Sequence, residues 1–202
     1  MREQALVADI IPSSTTAGPG TRLEVFLQGC NFNCTTCPTP HLIPRSAPGT
    51  QAMSVTDLMN HVRDALPSIT GITVTGGEPT LQADVVYSWF LQLKSSTDTR
   101  HLSTFIDTNG SATPNTWDLL IPVTDGFIVE LKAFSDGLHE ELTGHSNLPV
   151  LSSIRYLSEA KKLYATRITT SPGNSDDAHD VAAVSSFLNG INPTMRVEFE
   201  TV

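Results

Sequence analysis

The stretch Arg22–Pro38, RLEVFLQGCNFNCTTCP, joins a predicted strand to a loop that holds every cysteine of the chain. Bulky apolar residues over 22–28 predict the strand. Cys30, Cys34 and Cys37 follow it, and no cysteine occurs elsewhere. An odd and tightly clustered set is a poor disulfide framework. It is a natural set of thiolate ligands for a metal ion or an iron–sulfur cluster.

Three thiolates favour an iron–sulfur cluster over the other uses of cysteine. Three ligands on a four-iron cluster leave one iron without a protein ligand, and an open coordination site is what chemistry on a bound substrate requires. The alternative is a structural zinc ion in a closed Cys3His shell, with His41 as the fourth ligand. Nucleophilic catalysis by one cysteine is a third interpretation.

Composition limits the class of protein. A chain of 202 residues with net charge −9 and 39% hydrophobic content predicts one substantial core, and we treat 1–202 as a single domain. The acidic balance argues against a nucleic-acid partner, because phosphates attract basic surfaces. No apolar run approaches the roughly 20 residues that cross a bilayer, and Met1–Leu6 lacks a signal-peptide pattern. We therefore expect a cytoplasmic protein with no membrane partner.

Apolar runs alternate with amphipathic stretches along the chain. Strands are predicted at 22–28, 71–75, 102–106, 127–131, 165–170 and 195–199, and helices at 55–66, 86–93, 114–120, 154–160 and from about Asp176–Asp177 onward. This alternation predicts an α/β fold with a parallel sheet and right-handed crossovers. An open doubly wound sheet and a partial barrel both fit the pattern.

Polar and glycine-rich groups follow the predicted strands where each strand ends. They are Gly76-Gly77-Glu78-Pro79, Asp107-Thr108-Asn109-Gly110 and Glu130-Leu131-Lys132, with Arg167 inside the fifth strand. Because the carboxyl ends of parallel strands meet at one edge, we expect a ligand site there. Glycines let a ligand approach the backbone, and a lysine ending a buried strand needs a partner. Taken singly, each group is also compatible with an ordinary turn or cap.

Together these segments resemble the radical S-adenosylmethionine superfamily, and within it the activating enzymes of glycyl-radical enzymes, such as pyruvate formate-lyase activase. The cysteine motif carries the resemblance to the superfamily. The opening Gly18–Arg22 and the segment with His139, Thr143-Gly144 and Asn147 carry the resemblance to the activases. The resemblance implies a partial (β/α)6 radical-SAM barrel of parallel strands. Because the chain stops near its sixth predicted strand, we expect a short form, C-terminally truncated relative to the family.

The resemblance also implies roles for individual residues. Cys30, Cys34 and Cys37 would be the metal ligands of a [4Fe–4S] cluster, and with Lys132, opposite the methionine carboxylate, they form the predicted catalytic set. Thr36, Cys37 and Pro38 would lie against the adenine of S-adenosylmethionine, and Gly76, Gly77 and Glu78 would receive its ammonium group. The remaining predicted cofactor contacts are Asp107, Thr108, Glu130 and Leu131; Asp107, Thr108 and Glu130 would also border a monovalent cation.

The implied activity is reductive cleavage of S-adenosylmethionine to a 5′-deoxyadenosyl radical, which takes hydrogen from a backbone glycine of a partner enzyme. A flavodoxin-like or ferredoxin-like protein would donate the electron. Two alternatives remain open: a radical-SAM enzyme acting on a small molecule, similar to deazaguanine synthases, and a zinc-stabilised interaction module.

Three positions depart from the family pattern. Thr36 and Pro38 stand where many members have an aromatic residue and a histidine, and Glu130 stands where the activases have an aspartate. Side-chain stacking on adenine is therefore lost and the predicted cation site is altered. Because the chain also stops early, we expect weaker cofactor retention than in full-length relatives.

Overall fold

The computed structural model describes residues 4–170 and 178–201. The predicted helix start at Asp176–Asp177 lies outside the described residues. The strands are β1 (Gln4–Ser14), β2 (Arg22–Leu27), β3 (Gln51–Ser54), β4 (Gly71–Gly76), β5 (Ser103–Thr108), β6 (Gly126–Leu131), β7 (Leu163–Thr170) and β8 (Arg196–Thr201). The α-helices are α1 (Val55–Ala65), α2 (Ala83–Ser95), α3 (Pro114–Leu120), α4 (Asp136–Thr143), α5 (Leu148–Glu159) and α6 (Ala178–Ile191).

The strands form one sheet in the order β3-β1-β2-β4-β5-β6-β7-β8. From β2 to β8 each strand is parallel to its neighbour, and the spatial order follows the chain order. In a doubly wound sheet, the spatial order of the strands reverses relative to the chain order at a switch point. Because this order never reverses, the barrel-type prediction is confirmed and the doubly wound alternative is wrong.

Two strands and one helix were not predicted from the sequence. β1 pairs antiparallel with both β2 and β3, and this adds an antiparallel edge to the parallel sheet. In the half of β1 beyond Asp9 only Ser14 is buried, so the alternation that signals a strand is weak. α4 is a short helix with three exposed acidic residues, and its helical period is equally faint.

Helix α1 illustrates how local sequence fixes an element. The Ser54 hydroxyl accepts a hydrogen bond from the Asp57 backbone N–H at 3.2 Å, and the Asp57 carboxylate accepts one from the Ser54 N–H at 2.8 Å. A serine followed three residues later by an acidic residue is the sequence pattern of such a reciprocal cap, and caps of this kind contribute about 1 kcal/mol. The helix buries Leu58, Met59 and Val62 against the sheet. Within the described ranges, no helix has the length and apolar content needed to cross a bilayer.

Arg22 closes the amino-terminal end of the parallel strands. Its guanidinium is fully buried and lies 4.3 Å from the centre of the Phe105 ring. All five of its N–H groups donate to neutral oxygens, those of Thr73, Pro19, Ile72 and Ser103, the last through both its hydroxyl and its carbonyl. The Gly18–Arg22 opening is thus a structural closure on the side of the sheet opposite the predicted site.

Candidate active site at the carboxyl edge of the sheet

A cavity of about 210 Å³ lies where the parallel strands end. The cysteine loop (residues 30–38) forms one wall, and side chains of β5, β6 and β7 form another. The predicted site residues that border this cavity are Cys30, Cys34, Thr36, Cys37, Pro38, Gly76, Gly77, Asp107, Thr108, Glu130 and Lys132. Glu78 and Leu131 are fully buried and do not border it.

The backbone sets the start of the cysteine loop. The N–H groups of Gly29 and Cys30 donate to the carbonyls of Leu42 and Ile43 at 2.9 and 3.0 Å. The three cysteines are half-buried. Burial raises the pKa of the Cys30 thiol to about 11 and also raises the pKa of Cys34. A nucleophilic cysteine requires a lowered pKa, so the raised values of Cys30 and Cys34 do not support a catalytic nucleophile at either position.

The arrangement of ligands distinguishes a cluster from a single zinc ion. In the part of the chain that the structure describes, no three His, Cys, Asp or Glu side chains are close enough to share one metal ion. His41 is exposed and does not border the cavity. A Cys3His zinc shell needs four donors within about 2.0–2.3 Å of one ion, whereas each thiolate of a cubane binds a different iron. Three thiols around one cavity therefore fit the cluster and not the zinc module.

Gly76 and Gly77 lie where the backbone at the end of β4 packs against the backbone at the start of the cysteine loop. The Gly77 N–H donates to the Leu27 carbonyl at 2.9 Å, and the Glu78 N–H donates to the Gly29 carbonyl at 2.8 Å. A Cβ on Gly77 would lie 2.2 Å from the Gly29 oxygen, and Gly76 has a φ of +118° that disfavours other residues. The glycines border the cavity as predicted, and they are also required by this backbone junction.

Glu78 ties two turns together behind the cavity wall. Its carboxylate accepts hydrogen bonds from the Thr80 N–H and hydroxyl at 2.9 and 2.6 Å, the Thr108 hydroxyl at 2.8 Å and the Asn109 N–H at 2.7 Å. Burial raises the pKa of Glu78 despite these four donors. The side chain thus links the turn after β4 to the turn after β5, and the structure does not bring it to the cavity.

A charged network crosses the ends of β5 to β8. The Arg167 guanidinium lies 2.5 Å from Asp107, 3.6 Å from Glu130 and 3.4 Å from Glu198. The Lys132 ammonium lies 2.6 Å from the second oxygen of Glu130. Lys132 thus has the carboxylate partner that its burial requires. The network contains two cations and three carboxylates, and Glu130 links the two cations.

These neighbours shift the pKa values in opposite directions. Burial and the nearby Glu130 raise the pKa of Asp107 to about 8, and Arg167 only partly offsets them. Burial also acts to raise the pKa of Glu130, but Lys132 and Arg167 outweigh it and lower that pKa. Burial lowers and Glu130 raises the pKa of Lys132, and the net direction is upward. The Asp107 Oδ1 atom is buried without a hydrogen-bond partner among the described residues, as expected where a ligand supplies one.

Arg167 and Asn109 are among the residues that border this cavity without a role predicted from the sequence. Arg167 was noted in its strand, but its partners lie on β5, β6 and β8 and are visible only once the strands are in register. The Asn109 amide lies 3.9 Å from the Cys30 sulfur and donates to the Asn31 side chain at 3.0 Å. The position of Asn109 directly after the end of β5, two residues beyond Asp107, is the sequence feature that could have indicated its place at the cavity.

Comparisons with known proteins agree with this geometry. Residues 25–183 match the model of the Radical SAM superfamily. A Haemophilus influenzae protein named provisionally as a glycyl-radical enzyme activating enzyme is 38% identical over 129 residues, covering 64% of this chain and 48% of the relative. The pyruvate formate-lyase-activating enzyme of Staphylococcus epidermidis is 30% identical over 194 residues, covering 91% of this chain and 75% of the relative.

Solved structures agree on the fold. The crystal structure of QueE from Escherichia coli matches with a TM-score of 0.65 and 15% identity, covering 100% of this chain and 85% of that one. The chain spans about half the length of the first curated relative and three quarters of the second. The family model and the curated relatives lead to one conclusion: the chain belongs to the Radical SAM superfamily, and its curated relatives include proteins named as glycyl-radical enzyme activating enzymes.

Proposed function

We propose that this protein activates a glycyl-radical enzyme. One observation carries the proposal: the three cysteines of one loop, the glycine pair at the end of β4 and four members of the charged network border the same cavity. These four are Asp107, Glu130, Lys132 and Arg167. With a [4Fe–4S] cluster and S-adenosylmethionine bound, the site would supply a 5′-deoxyadenosyl radical for hydrogen abstraction from a partner's backbone glycine. The names of the two curated relatives support this choice of substrate.

The residues of the chain hold and orient the cofactors. Cys30, Cys34 and Cys37 would bind the cluster as thiolates. Because burial raises the pKa values of Cys30 and Cys34, loading would release protons and would be favoured by rising pH. Lys132 would meet the carboxylate of S-adenosylmethionine. The Glu130 carboxylate would hold the Lys132 ammonium group in place, since its Oε2 lies 2.6 Å from the Lys132 Nζ.

Asp107 would meet the positive or hydroxyl-bearing part of the ligand through its Oδ1 atom, to which no described residue donates a hydrogen bond. The predicted monovalent cation would use the same atom, because the other Asp107 oxygen is held by Arg167 at 2.5 Å. We propose a flavodoxin-like or ferredoxin-like protein as the electron donor. We propose an anaerobic cytoplasm as the setting, because oxygen destroys exposed iron–sulfur clusters.

The proposal is tested on protein reconstituted with iron and sulfide without oxygen. Reduction by dithionite with S-adenosylmethionine should release 5′-deoxyadenosine, and a glycyl-radical partner should then give a doublet in the EPR spectrum. Cys34→Ala is the matched control and should release none. Stoichiometric zinc without iron would refute the assignment. Turnover of a small molecule with no glycyl signal from any partner would favour the deazaguanine synthase-like alternative.

A further inference from the structure

The segment 133–147, which follows Lys132 and contains α4, has no part in the proposed chemistry. It carries His139, Thr143-Gly144 and Asn147, the residues that pointed to the activase branch. His139, Thr143 and Asn147 are buried, although the helix itself is short and its acidic face is exposed. Their contacts run to the cysteine loop on one side and to the end of β6 on the other.

The last turn of α4 supplies backbone partners for the middle of the cysteine loop. The Asn33 N–H donates to the Thr143 carbonyl at 3.1 Å, and the Thr35 N–H donates to the Leu142 carbonyl at 2.9 Å. Carbonyls in the last turn of a helix have no partner within the helix. The loop around Cys34 therefore completes the end of α4, and α4 fixes that loop.

Phe32 makes the same connection through side chains. Its ring is 3% exposed, whereas Asn31 and Asn33 on either side are exposed. It stacks on the His145 ring at 5.0 Å between centres and meets the His139 ring edge-on at 5.7 Å. His139 is itself oriented, because its Nδ1 lies 2.7 Å from the His145 carbonyl and must carry the hydrogen that this carbonyl accepts.

The opposite end of the segment holds the backbone immediately after Lys132. The Asn147 amide donates to the carbonyls of Phe134 at 2.6 Å and Ala133 at 3.3 Å. The Asp136 carboxylate accepts the Asn147 N–H at 2.8 Å, which closes the segment on itself. Gly144 ends α4 with a φ of +79°, the conformation that lets the chain turn back toward Asn147.

We propose that residues 133–147 form a clamp that fixes the cysteine loop relative to Lys132, with Phe32 and His139 as its positioning residues. The inference rests on the proposed function only in that the loop binds a cluster. Neither residue is a ligand in this proposal. The clamp acts by holding the loop backbone on either side of Cys34, so that the thiol keeps its place when the cluster is bound.

The rate of iron release tests the clamp. Anaerobically reconstituted protein is mixed with an iron chelator, and the coloured complex is followed with time. His139→Ala should release iron about 10-fold faster than the unmodified chain, the lower end of what outer-shell substitutions cost a metal site. Glu140→Ala, on the exposed face of the same helix, should release iron at the unmodified rate. Circular dichroism of each variant establishes that it is folded.

A conservative pair separates positioning from simple packing. Asparagine places an N–H near the position of histidine Nδ1, and glutamine places one near Nε2. Among the described residues Nδ1 has a hydrogen-bond partner and Nε2 has none, so His139→Asn should recover part of the slow release and His139→Gln should not. Recovery by both to the same degree would overturn the role given to the His145 contact.

The remaining outcomes are also decisive. If His139→Ala does not fold, Phe32→Leu, which removes the ring from the loop side, must show the faster release. Folded variants that hold iron as long as the unmodified chain would overturn the clamp and leave the proposed function standing. An unmodified chain that takes up no iron would instead overturn the proposed function.

Discussion

Two buried arginines mark the two ends of the sheet. Arg22, at the amino-terminal end, donates all five hydrogens to neutral oxygens. Arg167, at the carboxyl end, lies among three carboxylates, those of Asp107, Glu130 and Glu198. Burial lowers the pKa of Arg22 to about 10, and the charges of Asp125 and Tyr164 only partly offset this effect. The same residue type is thus held by dipoles at one end and by ions at the other.

The difference separates stability from function. Fixed dipoles that satisfy every N–H leave Arg22 nothing to offer a ligand, so that end of the sheet is closed. Carboxylates can change protonation or partner, so the network around Arg167 can rearrange when a charged ligand enters. We expect the rearrangement to start at Asp107, because its pKa is raised and one of its oxygens has no hydrogen-bond partner among residues 4–170 and 178–201.

The largest effect should come from Arg22→Met. The substitution leaves buried hydroxyls and carbonyls without donors, and we expect a loss of about 3–5 kcal/mol in the free energy of unfolding. Urea denaturation measures it. The control is Arg63→Met, whose ion pair with Asp98 is exposed on both sides and should cost under about 1 kcal/mol. An equal loss in the free energy of unfolding of the two variants would contradict a special structural role for Arg22.

Arg167→Met should act mainly on function. We expect formation of 5′-deoxyadenosine to fall about 100-fold, the usual effect of removing one preorganised charge from an active site. The loss of stability should be smaller than for Arg22→Met, because Asp107 can retain a proton once its partner is gone. Chromatography of the product and urea denaturation test the two halves. A variant that cleaves S-adenosylmethionine at the normal rate would place Arg167 with Arg22 as a structural residue.

Asp107 should give stability a specific pH dependence. Its pKa is about 8 in the folded chain against an ordinary value of 3.8, so the folded state binds a proton that the unfolded state has released. Its contribution to stability is complete below about pH 4, declines as the pH rises and is lost above about pH 8. Thermal unfolding between pH 5 and about 8.5 should show this decline, and Asp107→Asn should remove it. An unchanged slope in the variant would contradict the raised pKa.

Glu198→Gln should have the smallest effect. Its carboxylate lies 3.4 Å from Arg167, but the side chain is 26% exposed and water weakens the interaction. We expect a change of about 0.5 kcal/mol or less in stability and at most a few-fold change in 5′-deoxyadenosine formation. A loss as large as that of Arg167→Met would show that the network depends on its outermost member.

The sequence predicts those features that depend on residues close together in the chain. The strand 22–28, the cap at Ser54 and the helix 114–120 follow from local patterns, and the structure has them at those positions. The cysteine spacing predicts three metal ligands in one loop, and the structure places the three thiols around one cavity.

What the sequence could not provide depends on register between distant strands. Glu130 and Arg167 are paired across β6 and β7, and Arg167 and Glu198 across β7 and β8, so their ion pairs exist only after the sheet forms. The resemblance to the family implies that Glu78 meets the ammonium group of S-adenosylmethionine, whereas in the structure its carboxylate is fully buried behind the cavity wall. Its four donors come from two separate turns, and no local pattern reveals them.

The junction of Gly77 with Gly29 restricts how such a site can diversify. Backbone meets backbone there, and a methyl group on Gly77 would overlap the Gly29 oxygen. A protein that keeps this contact has no side chain at that point with which to choose among substrates. We therefore expect selectivity to depend on side chains that line the cavity from the strands, such as Glu24, Phe26 and Thr169. Attempts to redirect the enzyme to a new substrate should therefore begin with those strand positions.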